Sequence, residues 1–264
     1  MSPRPLPYRM LRYFLILLAV VLTATLSFLG WIHYKAADHG PETVLFRGNT
    51  LPIMPDTLRL ISWNIGYAGL GEGMDFFYDG GQGVRAGQHA TDSALAAILD
   101  FITQGSRARF YLLQEVDAGS RRSWGQPQAR RLQELLPGYS AYFAVNYDVA
   151  FVPSPLRSPM GKVKSGLLSL SDYQPAEALR LALPGRHPWP TRMFMPDRCL
   201  LLLRYPLVGG KMLTLINVHN SAFDDSGAQR AEQVAFIRRL LEAEYRLGNY
   251  VIAGGDWNQS PQGY

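Results

Sequence analysis

The sequence predicts an α/β globular part that follows a single apolar helix, and three observations carry that reading. A charge-free stretch runs from Tyr13 to Ile32, short apolar runs alternate with longer amphipathic stretches after residue 57, and no repeat or low-complexity segment interrupts the chain. The short runs suit strands and the amphipathic stretches suit helices that cover them. A chain of 264 residues with 47% hydrophobic content can bury one sizeable core.

Residues 1–12 form a basic N-terminus with Arg4, Arg9 and Arg12. Residues 13–32 contain no charge, and twenty residues at about 1.5 Å each span roughly 30 Å, the thickness of a bilayer core. Tyr13, Trp31 and Tyr34 sit where interfacial aromatics are found, and three arginines before the stretch against Lys35 after it predict a cytoplasmic N-terminus. A cleaved secretory signal is the competing reading. The apolar stretch exceeds the roughly 7–15 residues usual for such signals, and no A-x-A site follows closely, so a single-pass signal anchor with an extracytoplasmic remainder is expected. Residues 33–57, with Gly40, Pro41, Gly48, Asn49, Pro52 and Pro55, read as a stalk, leaving 58–264 as the globular domain.

Within that domain, strands are predicted over 58–63, 110–114, 141–145, 165–170, 199–205, 212–218 and 250–254. Helices are predicted over 92–103, capped by Thr91 or Asp92, and over 127–136 and 228–245. Segments 146–164 and 184–197 are rich in Pro, Gly and Arg and read as surface loops near the site.

The formal charge of +5 arises at the N-terminus: beyond residue 35 the chain holds 22 basic and 21 acidic residues. A global basic field that would draw in nucleic acid is therefore lacking. Cys199, the only cysteine, lies in an apolar run and reads as core.

Four apolar strands each end in a polar cluster: Ser62-Trp63-Asn64, Gln114-Glu115-Val116-Asp117, Asn217-Val218-His219-Asn220 and Gly254-Gly255-Asp256-Trp257-Asn258. Singly, each has a plain structural reading as a loop carboxylate, a turn or a structural histidine. Together they supply carboxylates, amide side chains and one imidazole, a hard-oxygen donor set that suits Mg²⁺ or Mn²⁺ better than zinc.

The ordered segments LRLISWNIGY, FYLLQEVD, LINVHNSAFD and VIAGGDWNQ resemble the motif series of the endonuclease/exonuclease/phosphatase superfamily, over residues 58–259. That resemblance implies a four-layer α/β/β/α sandwich of two mixed sheets. It also implies a divalent-metal-dependent phosphoesterase acting on nucleic acid, phospholipid or a small phosphate ester. Glu115 and Asn64 would hold the metal, Asp256 would orient the attacking water, His219 would donate to the phosphoryl group, and Asn258 would hold a phosphate oxygen. Arg198 and Asn220 are further phosphate-binding candidates. The family completes its site with a Ser-Asp-His element that does not occur before the sequence stops at Tyr264, so the sequence as it stands is expected to lack part of the domain and to be inactive.

Other features read as structural. Gly69-Leu-Gly71-Glu-Gly73 lacks the helix and lysine of a phosphate-binding loop and reads as mobile. Ser165, Asn146 and Asp148 read as strand-end polar residues, the sequon Asn258-Gln-Ser260 as coincidence, and the arginine pairs at 121–122, 130–131 and 238–239 as solvated faces. Two other readings stay open: a nuclease, suggested by the deoxyribonuclease-like His219-Asn220-Ser-Ala, and a non-catalytic membrane protein that uses the sandwich to bind a partner.

Overall fold

The computed structural model describes residues 6–259 apart from 37, 56, 106, 107, 223 and 225. Residues 1–5 of the basic N-terminus and Ser260 of the sequon lie outside the described residues. The chain divides into two compact units, Met1–Ala36 and Ala37–Tyr264.

The first unit is the helix α1 (Leu6–Lys35), 30 residues long with His33 and Lys35 in its last turn. It extends the expected span toward the N-terminus, because the intervening Arg, Met and Leu residues are themselves good helix formers. Among the described residues it is the one helix long and apolar enough to cross a membrane.

The second unit holds two mixed sheets. One has five strands, β1 (Glu42–Arg47), β6 (Glu177–Ala182), β7 (Cys199–Pro206), β8 (Met212–His219) and β9 (Tyr250–Asp256), in that order. The other has four, β2 (Leu60–Asn64), β3 (Phe110–Asp117), β4 (Ser140–Val152) and β5 (Gly161–Ser171), in the order β2-β3-β5-β4. The pairs β2/β3 and β8/β9 are parallel and the other neighbours antiparallel. Helices α2 (Gln88–Asp100), α3 (Gln128–Leu135) and α4 (Ala228–Arg246) cover them, and a π-helical turn, Phe101–Gly105, prolongs α2.

Strand alternation sorts the side chains into the expected four layers. Leu95 and Ile98 of α2 and Leu132 of α3 pack on Tyr111, Leu113, Leu168 and Leu170. Between the sheets, Phe110, Ala144 and Leu167 meet Leu201, Leu203, Leu213 and Leu215. On the far side, Leu200, Leu202, Ile216 and Val218 receive Ile237 of α4. Cys199 is fully buried between the sheets, as its apolar run predicts.

Three expectations need correction. The segment read as a stalk contributes the edge strand β1, paired with β6, and Ile53 bridges to Leu207, so residues 42–47 and 53 belong to the sheet. Its Gly and Pro residues flank a strand whose alternation, Thr43 through Arg47, is too short to stand out. The strand β6 escaped notice because Arg180 interrupts its apolar pattern; the side chain is 1% exposed, donates to Val145 O at 2.8 Å and pairs with Asp197 at 3.2 Å. Helix α2 begins after Gly87, four residues before the expected cap, and Thr91 lies buried inside it, donating to Gly87 O.

A polar pin crosses the inter-sheet core. The buried Asn217 accepts from Gln114 Nε2 at 2.7 Å and donates to Leu113 O at 3.1 Å and Leu168 O at 3.2 Å, tying β8 to β3 and β5. Gly255 (φ 149°) is held against the same strand: a Cβ there would run into the Val218 backbone. Replacing Asn217 by Leu removes one of the two acceptors of the buried Gln114 amide, which keeps Leu112 O, and a donor to two buried carbonyls, so denaturant unfolding is expected to show a loss of about 1–3 kcal/mol.

Candidate active site

Alternation explains how three of the four clusters reach one place. On β2, Leu60, Ser62 and Asn64 face the opposite sheet; on β8, Leu213, Leu215, Asn217 and His219 do; on β9, Ile252, Gly254 and Asp256 do. Glu115 obeys a different rule. Strict alternation would place it beside Tyr111 and Leu113 on the helix side, but the β3–β5 register shifts between Leu113 and Val116, and Glu115 adopts a left-handed backbone at φ 53°. This bulge returns Val116 to the helix side and turns Glu115 toward the opposite sheet.

The four side chains meet at the site end of the sandwich. Asn64 Nδ2 donates to Glu115 Oε1 at 3.2 Å and to Asp256 Oδ2 at 2.8 Å, while its own Oδ1 accepts from Gly66 N–H. His219 Nε2 stands 3.9 Å from Glu115 Oε1 and 3.8 Å from Asp256 Oδ2. Asp256 Oδ1 accepts the Asn258 backbone N–H at 2.9 Å, made possible by another left-handed residue, Asn258 at φ 50°. These residues line a cavity of about 280 Å³ with Arg198, Arg122, Tyr67, Tyr78, Tyr147, Asn146, Ser165, Phe76 and Met160.

No protein-family model matches the sequence, and no curated protein matches it. Solved structures do. Caenorhabditis elegans TDP2 superposes with a TM-score of 0.50 at 16% identity, covering 77% of this chain and 48% of that one. A truncated form of the same protein gives 0.50 at 17% identity, covering 78% and 64%. The chain has the endonuclease/exonuclease/phosphatase fold. An endonuclease/exonuclease/phosphatase protein from Beutenbergia cavernae is also similar, at TM-score 0.46 and 21% identity, covering 68% of this chain and 43% of that one. This chain thus spans about half the length of the C. elegans protein.

In this endonuclease/exonuclease/phosphatase fold the candidate residues do not all stand alike. Asn64, Glu115, His219, Asp256, Asn258 and Arg198 line the one cavity. Asn220 does not: it is buried, touches the site only through its backbone N–H and C=O, and its side-chain amide finds no partner among the described residues. It follows His219 directly, so alternation turns it off the inner face. Asn258 donates one amide hydrogen to Asn220 O at 2.8 Å and keeps the other for the cavity.

Arg122 was invisible to the sequence because its arginine pair looked like a solvated face. It is 7% exposed, forms a bidentate pair with the buried Asp117 at 2.9 and 3.2 Å, donates to Ser165 Oγ and stacks on Tyr67 at 3.8 Å. Burial alone would weaken its charge, but Asp117 more than offsets this and holds it firmly protonated. The aspartate in the Gln-Glu-Val-Asp cluster was the available signal that a buried cation lay nearby. Asn146 and Ser165 line the cavity, whereas Asp148 pairs outside it with Lys164. The Gly69–Gly73 loop borders the cavity through Leu70.

Electrostatics set the charge of each group. Burial, then Arg198 and Arg122, pushes the His219 pKa well below its ordinary 6.5, outweighing the two carboxylates at its edge, so the imidazole is neutral near pH 7. Burial also lowers Arg198 from its usual value while Glu115, Tyr147 and Asp256 pull it up, and it has no ion-pair partner among the described residues.

Two outcomes follow from these charges. A histidine with a depressed folded pKa takes its proton on unfolding, so stability is full above about 6.5 and is lost as pH falls through that value toward the folded pKa. The thermal midpoint is expected to drop between about pH 7.5 and 5.5, and the His219→Gln protein to show a shallower drop. Separately, Asp117→Asn strands the buried Arg122 charge and should cost about 3–5 kcal/mol in denaturant unfolding.

Proposed function

We propose that the chain is a metal-dependent phosphoesterase that hydrolyses a phosphodiester or phosphomonoester, tethered to a membrane by α1. The observation that carries this reading is the single amide of Asn64 bridging Glu115 and Asp256 from opposite sheets, beside Arg198 and a neutral His219.

Glu115 and Asn64 are the residues assigned to a divalent cation, with Mg²⁺ or Mn²⁺ favoured by an oxygen-rich donor set. The described residues hold no group of three or more His, Cys, Asp or Glu placed to grip an ion. When bound, such an ion supplies charge neutralisation for the phosphoryl oxygens.

The remaining chemistry belongs to the side chains. Asp256 accepts the Asn258 N–H on one oxygen and the Asn64 amide N–H on the other, and the remaining lone pair of that second oxygen can orient a water and accept its proton. Arg198 is a buried cation free to hold a phosphate oxygen, and the unused Asn258 amide hydrogen can hold another. A neutral His219 donates its N–H to a phosphoryl oxygen as negative charge accumulates, a contact that strengthens in the transition state. The aromatic wall of Tyr67, Phe76 and Tyr78 supports a second reading, a nuclease that stacks a base beside the scissile phosphate.

The test is hydrolysis of bis-(p-nitrophenyl) phosphate, plasmid DNA, RNA and phospholipids by the chain and by a form that also carries the family's Ser-Asp-His element, with chelator controls. Asp256→Asn and Glu115→Gln are each expected to lower kcat by about a hundredfold or more. Added Mn²⁺ should raise the thermal midpoint of the native chain and leave Glu115→Ala unmoved. A chain whose turnover ignores chelator and both substitutions would overturn the proposal.

A further inference from the structure

Two loops from opposite sheets flank the cavity mouth. Residues 153–160 join β4 to β5 and supply Met160; residues 183–198 join β6 to β7 and supply Met195, Pro196 and Arg198. Their outer surfaces share an unusual composition. Leu156 is 89% and Trp189 57% exposed, and the two loops contain Arg157, Arg186, His187 and Arg192 against one acidic residue, Asp197, itself paired with Arg180 and Arg186. Arg186 is paired with Asp38 and Asp197, whereas Arg157 and Arg192 are exposed and have no carboxylate within ion-pair distance among the described residues.

An exposed indole and leucine beside unpaired guanidiniums is the pattern of surfaces that rest at the water–lipid boundary, where the ring enters the headgroup layer and the cations meet phosphates. The globular unit is joined to the preceding chain at this same end. Pro41 O accepts from Ala182 N–H, Gly40 O from Arg180, and Asp38 pairs with Arg186, while Ala182 is the register partner of Cys199, next to Arg198. Residues 38–41 of the globular unit therefore lie beside the cavity mouth, not at the opposite end where the β7–β8 turn exposes Val208.

We infer that the rim formed by residues 153–160 and 184–196 docks on an anionic phospholipid surface, so that the mouth of the cavity addresses phosphate esters presented at a bilayer. The substrate part of this rests on the phosphoesterase reading; the docking part does not.

Cysteine labelling tests the docking, because Cys199 is buried with its thiol pushed up to about 12 and stays unlabelled. The full chain carrying Leu156→Cys, Trp189→Cys or, as the far-end control, Val208→Cys is labelled with an environment-sensitive fluorophore. Each is reconstituted into phosphatidylcholine vesicles with or without phosphatidylglycerol. With the anionic lipid, labels at 156 and 189 are expected to shift to the blue and to be quenched by spin-labelled lipid, and the label at 208 to emit as in water. Adding Arg157→Glu and Arg192→Glu should abolish the response. Labels at 156 and 189 that emit as the 208 label does, or respond equally to both vesicle types, overturn the inference. Hydrolysis of soluble bis-(p-nitrophenyl) phosphate, read in the same samples, separates the two proposals. Turnover without docking refutes the rim alone, and docking without turnover leaves the rim standing whatever becomes of the hydrolase reading.

Discussion

The hydrogen bond between Gln114 and Asn217 fixes how one sheet lies on the other, and the candidate site depends on it. Gln114 immediately precedes Glu115, and Asn217 lies two residues before His219 on the same face of β8. A sandwich held by leucines alone tolerates sliding, since apolar contacts have no direction; amide hydrogen bonds do not, because a shifted sheet would leave buried donors unpaired. The pin therefore sets the distances between groups that belong to different sheets, including the Asn64 amide that reaches both Glu115 and Asp256.

That amide matters for charge as well as position. Two carboxylates brought together from opposite sheets repel each other, and a single neutral donor only partly compensates. The wider pocket answers with the guanidiniums of Arg198 and Arg122, and the second of these is itself balanced by Asp117. What remains is a site with an uncommitted cation facing two carboxylates and a neutral imidazole between them, an arrangement suited to a ligand that carries both positive and negative charge, such as a metal phosphate.

Much of this was legible in the sequence, and the reasons for the exceptions are physical. The long apolar strands β3, β7 and β8 announced themselves, and the polar clusters at the ends of β2, β8 and β9 singled out Asn64, His219 and Asp256. Edge strands carry weaker signals: β1 is short and lies among glycines and prolines, and β6 buries Arg180, a residue that ordinarily marks a surface. Arg122 was missed for the same reason, since a buried guanidinium and a solvated one look alike until the partner aspartate is placed in space. The orientation of Glu115 could not be read from alternation, because a bulge depends on how two strands register and one strand's composition does not reveal it.

The backbone of that glutamate holds a further implication. A non-glycine residue in the left-handed region is strained by about 1–3 kcal/mol, and Glu115 bears this at φ 53° in the middle of an otherwise extended strand. Glycine would rest there without complaint. A carboxylate held at this bend therefore draws on the stability of the rest of the fold, and glycine in its place would release the strain while emptying that corner of the cavity.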